Sequence, residues 1–80
     1  MIKTHELKTW PMYFRAIVEG KKNFEIRRDD RDFSPGDVLL LIEYERQAQH
    51  FTGAQVERKI TYILREHEGL REGFAILGFE

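Results

Sequence analysis

A helix gives way to a strand within residues Gly20–Arg27, which read GKKNFEIR. Successive side chains of an extended segment point to opposite faces, so the two apolar residues, Phe24 and Ile26, share one face. Glu25 and Arg27 share the other. The stretch therefore sets an acid and a base side by side where two elements meet. Small pockets form at such junctions, and we expect this one to hold the functional site.

The residues before this stretch predict one helix, at positions 10–19. Apolar side chains recur there at the spacing of an amphipathic helix, and they are Trp10, Tyr13, Phe14, Ile17 and Val18. Thr9 is expected to cap the start of the helix, Pro11 to lie in its first turn, and Gly20 to end it in the left-handed region. The apolar face of this helix must pack against other elements.

Strand-like segments follow, at positions 23–28, 37–45, 55–65 and 74–79, and positions 2–8 form a short polar-edged strand. Ser34–Asp37 has Pro and Gly in the order of a type II turn. Polar residues between the second and third of these segments, with Thr52 and Gly53, predict an antiparallel hairpin. Val38–Ile42 does not alternate in polarity, which predicts a central strand that is buried on both faces.

These elements predict an α+β fold, in which one main helix near the N-terminus accompanies a strongly bent, mostly antiparallel, β-barrel-like sheet. Eighty residues correspond to a single domain, 1–80, and no internal repeat or linker divides them. The longest apolar run, Val38–Ile42, is far short of the ~20 residues that span a bilayer. We therefore expect no membrane association and a cytoplasmic location.

The composition excludes several kinds of site. The chain has no Cys, and its three histidines, His5, His50 and His67, lack the paired spacing of metal ligands. No glycine-rich fingerprint of a nucleotide cofactor is present, so we expect neither a metal nor a cofactor. A net charge of −1 and a pI near 6.3 are unlike those of proteins that coat duplexes. A nucleic-acid partner would make few phosphate contacts and fill a pocket for one or a few nucleotides.

The charges near Gly20–Arg27 also allow a purely structural interpretation. Lys21 and Lys22 would stabilise the negative end of the preceding helix by about 0.3 to 1 kcal/mol each. Glu25 and Arg27 would form an ordinary surface ion pair, which contributes roughly 0 to 1 kcal/mol. Spacing alone leaves this alternative and a ligand site equally open.

The pattern Gly20-x-Lys22-x-x-Glu25-x-Arg27 matches the G-x-K-x-x-E-x-R signature of the ASCH domains, which belong to the PUA-like superfamily. The resemblance extends over nearly the whole chain, through the segments at positions 5–11, 31–33, 36–37, 62–64 and 69–70. The chain resembles a compact branch of that superfamily found in bacteria and phages. The resemblance implies a PUA-like barrel with a cleft beside the signature strand. It also implies RNA or a nucleotide-like small molecule as the partner.

The signature residues suit such a ligand chemically. The Glu25 carboxylate can accept a hydrogen bond from an exocyclic amine, and Lys22 and Arg27 can donate to carbonyl oxygens or to phosphate. Together they can read the edge of a base.

Three more residues are candidates for the same cleft, each with an alternative role. Trp10 can offer a face for base stacking, or complete the apolar stripe of the helix as a core residue. His5 can donate into the cleft, or lie on the surface. Arg31 can close over a ligand, or cap a turn.

Two other classes of function remain. Some ASCH proteins that this chain resembles are amidohydrolases that deacetylate N4-acetylcytidine with a Lys, a Thr nucleophile and a Glu. Lys22 falls on their lysine, but Glu25 stands where they have the Thr, so only a different mechanism is open, with Glu25 as general base and Lys22 as electrophile. Alternatively, the cleft is vestigial and the chain is a protein-interaction domain. The oligomeric state stays open.

Overall fold

Strands dominate the computed structural model, which describes all residues from Met1 to Glu80. The elements are β1 (Thr4–Thr9), α1 (Pro11–Val18), β2 (Phe24–Arg28), β3 (Val38–Glu45), β4 (His50–Leu64) and β5 (Phe74–Phe79). They form one five-stranded sheet in the order β1-β3-β4-β5-β2. The pairing of β1 with β3 is parallel and the other pairings are antiparallel. No helix combines the length and apolar character needed to cross a membrane.

The predicted α+β class is wrong, because the domain is mainly β. Strands occupy 50% of the chain and helix only 10%. Residues 50–54, whose polarity predicts a loop, belong instead to β4, which runs for 15 residues. Nor does hydrogen bonding close the sheet into a barrel, since β1 and β2 are its two edges and do not pair with each other.

The helix lies where its periodicity predicts, but only two of its residues are buried. Phe14 and Ile17 are its buried residues, and Ile17 joins the core. Pro11 occupies the first turn and Gly20 has a φ of 77°, so both predictions are confirmed. The predicted cap is wrong, because the Thr9 hydroxyl donates to the Leu7 carbonyl at 3.4 Å instead.

The core fills one face of the sheet. Its members are Leu7, Ile17, Phe33, Leu39, Leu41, Ile60, Ala75, Leu77 and Phe79. The prediction that Val38–Ile42 is buried on both faces is wrong: Leu39 and Leu41 are fully buried, whereas their neighbours are half-buried. The reason is that Lys8 of β1 and Gln55 of β4 flank Ile42, so polar side chains border the second face of β3.

The hairpin between β3 and β4 is confirmed, but its turn lies at residues 46–49 and not at Thr52-Gly53. Gly53 lies inside β4 with a φ of 97°, next to a register shift between Ile42 and Tyr44. A glycine is needed at such a bulge because other residues rarely adopt this φ.

Candidate functional site

The charged face of β2 points into the fold. Phe24 and Ile26 are exposed, whereas Glu25 is only 5% exposed. The pairing of β2 with β5 explains this orientation: Glu25 lies opposite Leu77, and both residues are buried on the inner side of the sheet. Burial of a carboxylate in place of an apolar side chain destabilises a fold unless the charge is fully paired. The buried charge of Glu25, on a strand whose apolar residues are exposed, therefore identifies the candidate site.

Glu25 is paired through both of its oxygens. The Lys22 ammonium donates to Oε1, and Arg27 donates to Oε2 from Nε and lies within 3.0 Å through Nη2. Lys22 also donates to the Phe24 carbonyl at 2.7 Å. No buried side-chain nitrogen or oxygen in the chain lacks a hydrogen-bond partner. The three signature residues therefore form one connected network, which we call the Glu25 network (Lys22, Glu25 and Arg27).

Glu25 borders two hollows. The first, which we call the Trp10 hollow, has a volume of about 230 Å³ and is lined by Lys8, Thr9, Trp10, Tyr13, Glu25, Ile26 and Arg27. The second, of about 380 Å³, is lined by Tyr13, Lys22, Phe24, Glu25 and Ile26. Pockets for drug-sized ligands usually measure about 300 to 1,000 Å³. The Trp10 hollow therefore has the size for a smaller planar group such as one base.

An aromatic wall borders the Trp10 hollow. Trp10 is 39% exposed, so its alternative assignment to the core is wrong; the helix buries Phe14 and Ile17 instead. The Trp10 ring stacks with Tyr13 at 5.8 Å between centroids and 21° between planes. The guanidinium of Arg46, from the β3–β4 turn, lies 3.7 Å from the Trp10 ring centre. The wall is thus held by contacts from two separate elements.

Sequence reasoning missed several residues at this site. Lys8 and Thr9 line the hollow because β1 passes beside β2. Tyr13 follows Trp10 by one helical turn, and this spacing was available as a signal. The position of Arg46 depends on the hairpin and has no local signal.

Two arginines bridge the edges of the sheet. Arg27 Nη2 donates to the Lys8 carbonyl and Arg31 Nη1 to the Glu6 carbonyl, each at 2.5 Å. We call these four residues the β1–β2 seam. Arg27 belongs both to this seam and to the Glu25 network, so Arg31 lies beside the network. Arg31 does not line the Trp10 hollow.

His5 lies apart from these groups and lines none of the hollows described. It is 7% exposed and packs against Phe33 with 4.6 Å between ring centres and 59° between ring planes. Its Nε2 lies 2.9 Å from Asp37 Oδ2. Burial favours a higher pKa for Asp37, but the His5 contact and the backbone N–H groups of Lys3 and Ser34 outweigh it and lower that pKa. The pair joins β1 to the turn before β3.

The structure contains no group of three or more His, Cys, Asp or Glu side chains that could hold a metal ion. The side chains of the Glu25 network and the aromatic wall supply a carboxylate, two cations and aromatic rings.

A family model described as a domain of unknown function, DUF3850, matches residues 4–79. The chain belongs to the DUF3850 family. This DUF3850 domain is 44% identical over 63 residues to a protein of Escherichia phage P2 described as "Uncharacterized 12.9 kDa protein in GpA 3'region". The match covers 79% of the chain and 56% of the phage protein, so the domain spans somewhat more than half of that relative. Neither match bears on the resemblance to ASCH domains, which stays a prediction.

Proposed function

We propose that this DUF3850 domain binds RNA or a modified nucleoside, with one base in the Trp10 hollow. The observation that carries the proposal is the inward-facing carboxylate of Glu25, held between Lys22 and Arg27 beside exposed aromatic rings. A fold whose only need was stability would bury an apolar side chain opposite Leu77.

The network can still take part in recognition although its members are paired. A carboxylate offers about four lone-pair sites, and Arg27 and Lys22 occupy only part of this capacity. Glu25 can thus accept from an exocyclic amine while Arg27 donates to a neighbouring carbonyl oxygen. Trp10 supplies a stacking surface, which contributes about 1 to 3 kcal/mol per base in single-strand binding.

Two further features support this proposal. The match to the G-x-K-x-x-E-x-R signature would relate the domain to the ASCH proteins, for which RNA-like ligands are expected. The balanced charge of the chain favours a ligand with few phosphates.

The test is a titration with the four ribonucleosides, N4-acetylcytidine and short single-stranded RNAs at two salt concentrations. Glu25→Gln and Arg27→Ala should each weaken binding at least about tenfold, the effect of removing one charge-assisted hydrogen bond. Glu57→Gln is the matched control, since Glu57 is an exposed carboxylate on β4 outside both hollows. Circular dichroism must show that each variant is folded.

Equal affinity of all four proteins for every ligand would refute the assignment of the site. Release of cytidine from N4-acetylcytidine by the wild type, absent in Glu25→Gln, would instead identify the same network as that of an amidohydrolase. A folded domain that binds none of these ligands would refute the proposed function.

A further inference from the structure

A further hollow lies on the other side of Arg27. It measures about 380 Å³ and is lined by Glu6, Lys8, Arg27, Arg31, Ile42 and Phe51. We call it the Lys8 hollow. Three cations and one carboxylate border it; Arg27 is paired with Glu25, so Lys8 and Arg31 against Glu6 leave an excess of one positive charge. An anion is therefore the ligand that this lining favours.

Arg27 is paired with Glu25, but the other two cations of the Lys8 hollow are not neutralised by an ion pair. Neither Lys8 nor Arg31 takes part in any ion pair of the chain. The side chain of Arg31 donates one hydrogen bond, to the carbonyl oxygen of Glu6. The Lys8 ammonium lies over the rings of Tyr44 and Phe51, at 4.5 and 5.7 Å from their centres. Both cations thus keep donors for a further acceptor.

The Lys8 hollow adjoins the Trp10 hollow. Lys8 and Arg27 line both, so the two hollows lie on either side of the same pair of residues. Arg27 contacts Glu25, which lines the Trp10 hollow, and also donates to the Lys8 carbonyl at the seam. A nucleotide has this layout, with a neutral base at one end and a phosphate at the other.

We propose that the Lys8 hollow binds the phosphate of the nucleotide whose base occupies the Trp10 hollow. Arg31 and Lys8 donate to the phosphate oxygens, and Arg27 lies between base and phosphate. The Glu6 carboxylate opposes the phosphate and limits its affinity. This inference rests on the proposed function and narrows its ligand to a phosphorylated nucleotide, either free or within an RNA strand.

Calorimetry on the full chain tests the inference by comparing each ribonucleoside with its 5′- and 3′-monophosphates at constant ionic strength. The measured quantity is the ratio of the nucleoside Kd to the monophosphate Kd. One charge-assisted contact corresponds to about tenfold, so a ratio of about ten or more is expected for the wild type. A trinucleotide RNA shows whether the bound phosphate comes from a free nucleotide or from an RNA strand. Whichever of the mononucleotide and the trinucleotide binds more tightly is taken as the source of the phosphate.

Four variants locate the effect. Arg31→Gln and Lys8→Gln should bring the ratio close to one, and Arg31→Lys should restore part of it. Glu6→Gln should raise the ratio, because it removes the opposing charge. Lys59→Gln is the control, since Lys59 is an exposed cation of β4 outside the lining of both hollows, and it should leave the ratio unchanged.

The possible failures are distinguishable. Nucleosides that bind through Glu25 as tightly as their monophosphates would overturn the phosphate site and leave the proposed function intact. A ratio that falls equally in Arg31→Gln and Lys59→Gln would reflect general charge and would also overturn it. Absence of binding by any nucleoside, nucleotide or RNA would overturn the inference together with the proposed function.

Discussion

Replacement of Glu25 by Gln should destabilise the domain far more than a surface substitution of the same kind. The change keeps the shape of the side chain but removes the charge that pairs with Lys22 and Arg27. A Gln oxygen can accept from one of these cations, while its amide N–H₂ group cannot pair with the other. One half-buried cation is then left without its partner.

The size of the effect follows from burial. Removal of one partner from a buried ion pair costs about 3 to 5 kcal/mol. The side chains of Lys22 and Arg27 are 17% and 26% exposed, so water replaces part of the lost interaction. They also keep their bonds to the carbonyls of Phe24 and Lys8. We therefore expect a loss of about 2 to 3 kcal/mol in the free energy of unfolding.

Urea and thermal unfolding measure this loss. For a domain of this size, 1 kcal/mol corresponds to about 4 to 8 °C in Tm, so Tm should fall by roughly 10 to 20 °C. The exposed control Glu57→Gln should stay within about 0.5 kcal/mol of the wild type. If Glu25→Gln also stayed within that range, the buried network would contribute nothing as a charge cluster, and the reasoning from its burial would be refuted.

Three further predictions concern the turn before β3 and the aromatic wall. Gly36 has a φ of 95°, so Gly36→Ala should reduce the free energy of unfolding by about 1 to 2 kcal/mol in urea, although its added methyl group meets no atom within 4 Å. The pKa of Asp37 lies below its ordinary value of 3.8, because its hydrogen bonds outweigh the effect of burial. The ionised Asp37 therefore stabilises the fold above about pH 4, and this contribution is lost as the pH falls through the folded-state pKa. Urea midpoints at pH 7 and pH 3 should differ less in Asp37→Asn than in the wild type, and an equal difference would contradict this assignment. Arg46→Ala removes the guanidinium from one face of Trp10, so acrylamide should quench the only tryptophan more strongly; unchanged quenching would mean that Arg46 does not cover the ring in solution.

Local patterns predicted the elements better than their assembly. The strand at 74–79 was predicted with the bounds that the structure has, and Gly20 was identified as the end of the helix. The class was wrong because residues 50–54 form a strand that is exposed on both faces, where the long hairpin has little to cover it. Alternation cannot mark a strand there.

At the candidate site, too, the sequence predicted the local pattern but not the contacts between elements. Alternation along β2 separated Glu25 and Arg27 from their apolar neighbours, but only the register with β5 decides which face is buried. His5 and Asp37 are 32 positions apart, and no sequence pattern links them. Contacts between distant elements depend on topology, which local periodicity does not contain.

The β1–β2 seam also covers part of the unpaired edge of β1. An unpaired strand edge can recruit a strand from another molecule, and natural proteins often protect such edges with charged side chains. Arg27 and Arg31 occupy two backbone acceptors of β1 that an incoming strand would need. Resistance to self-association and the capacity to hold an anionic ligand would then depend on the same pair of guanidinium groups.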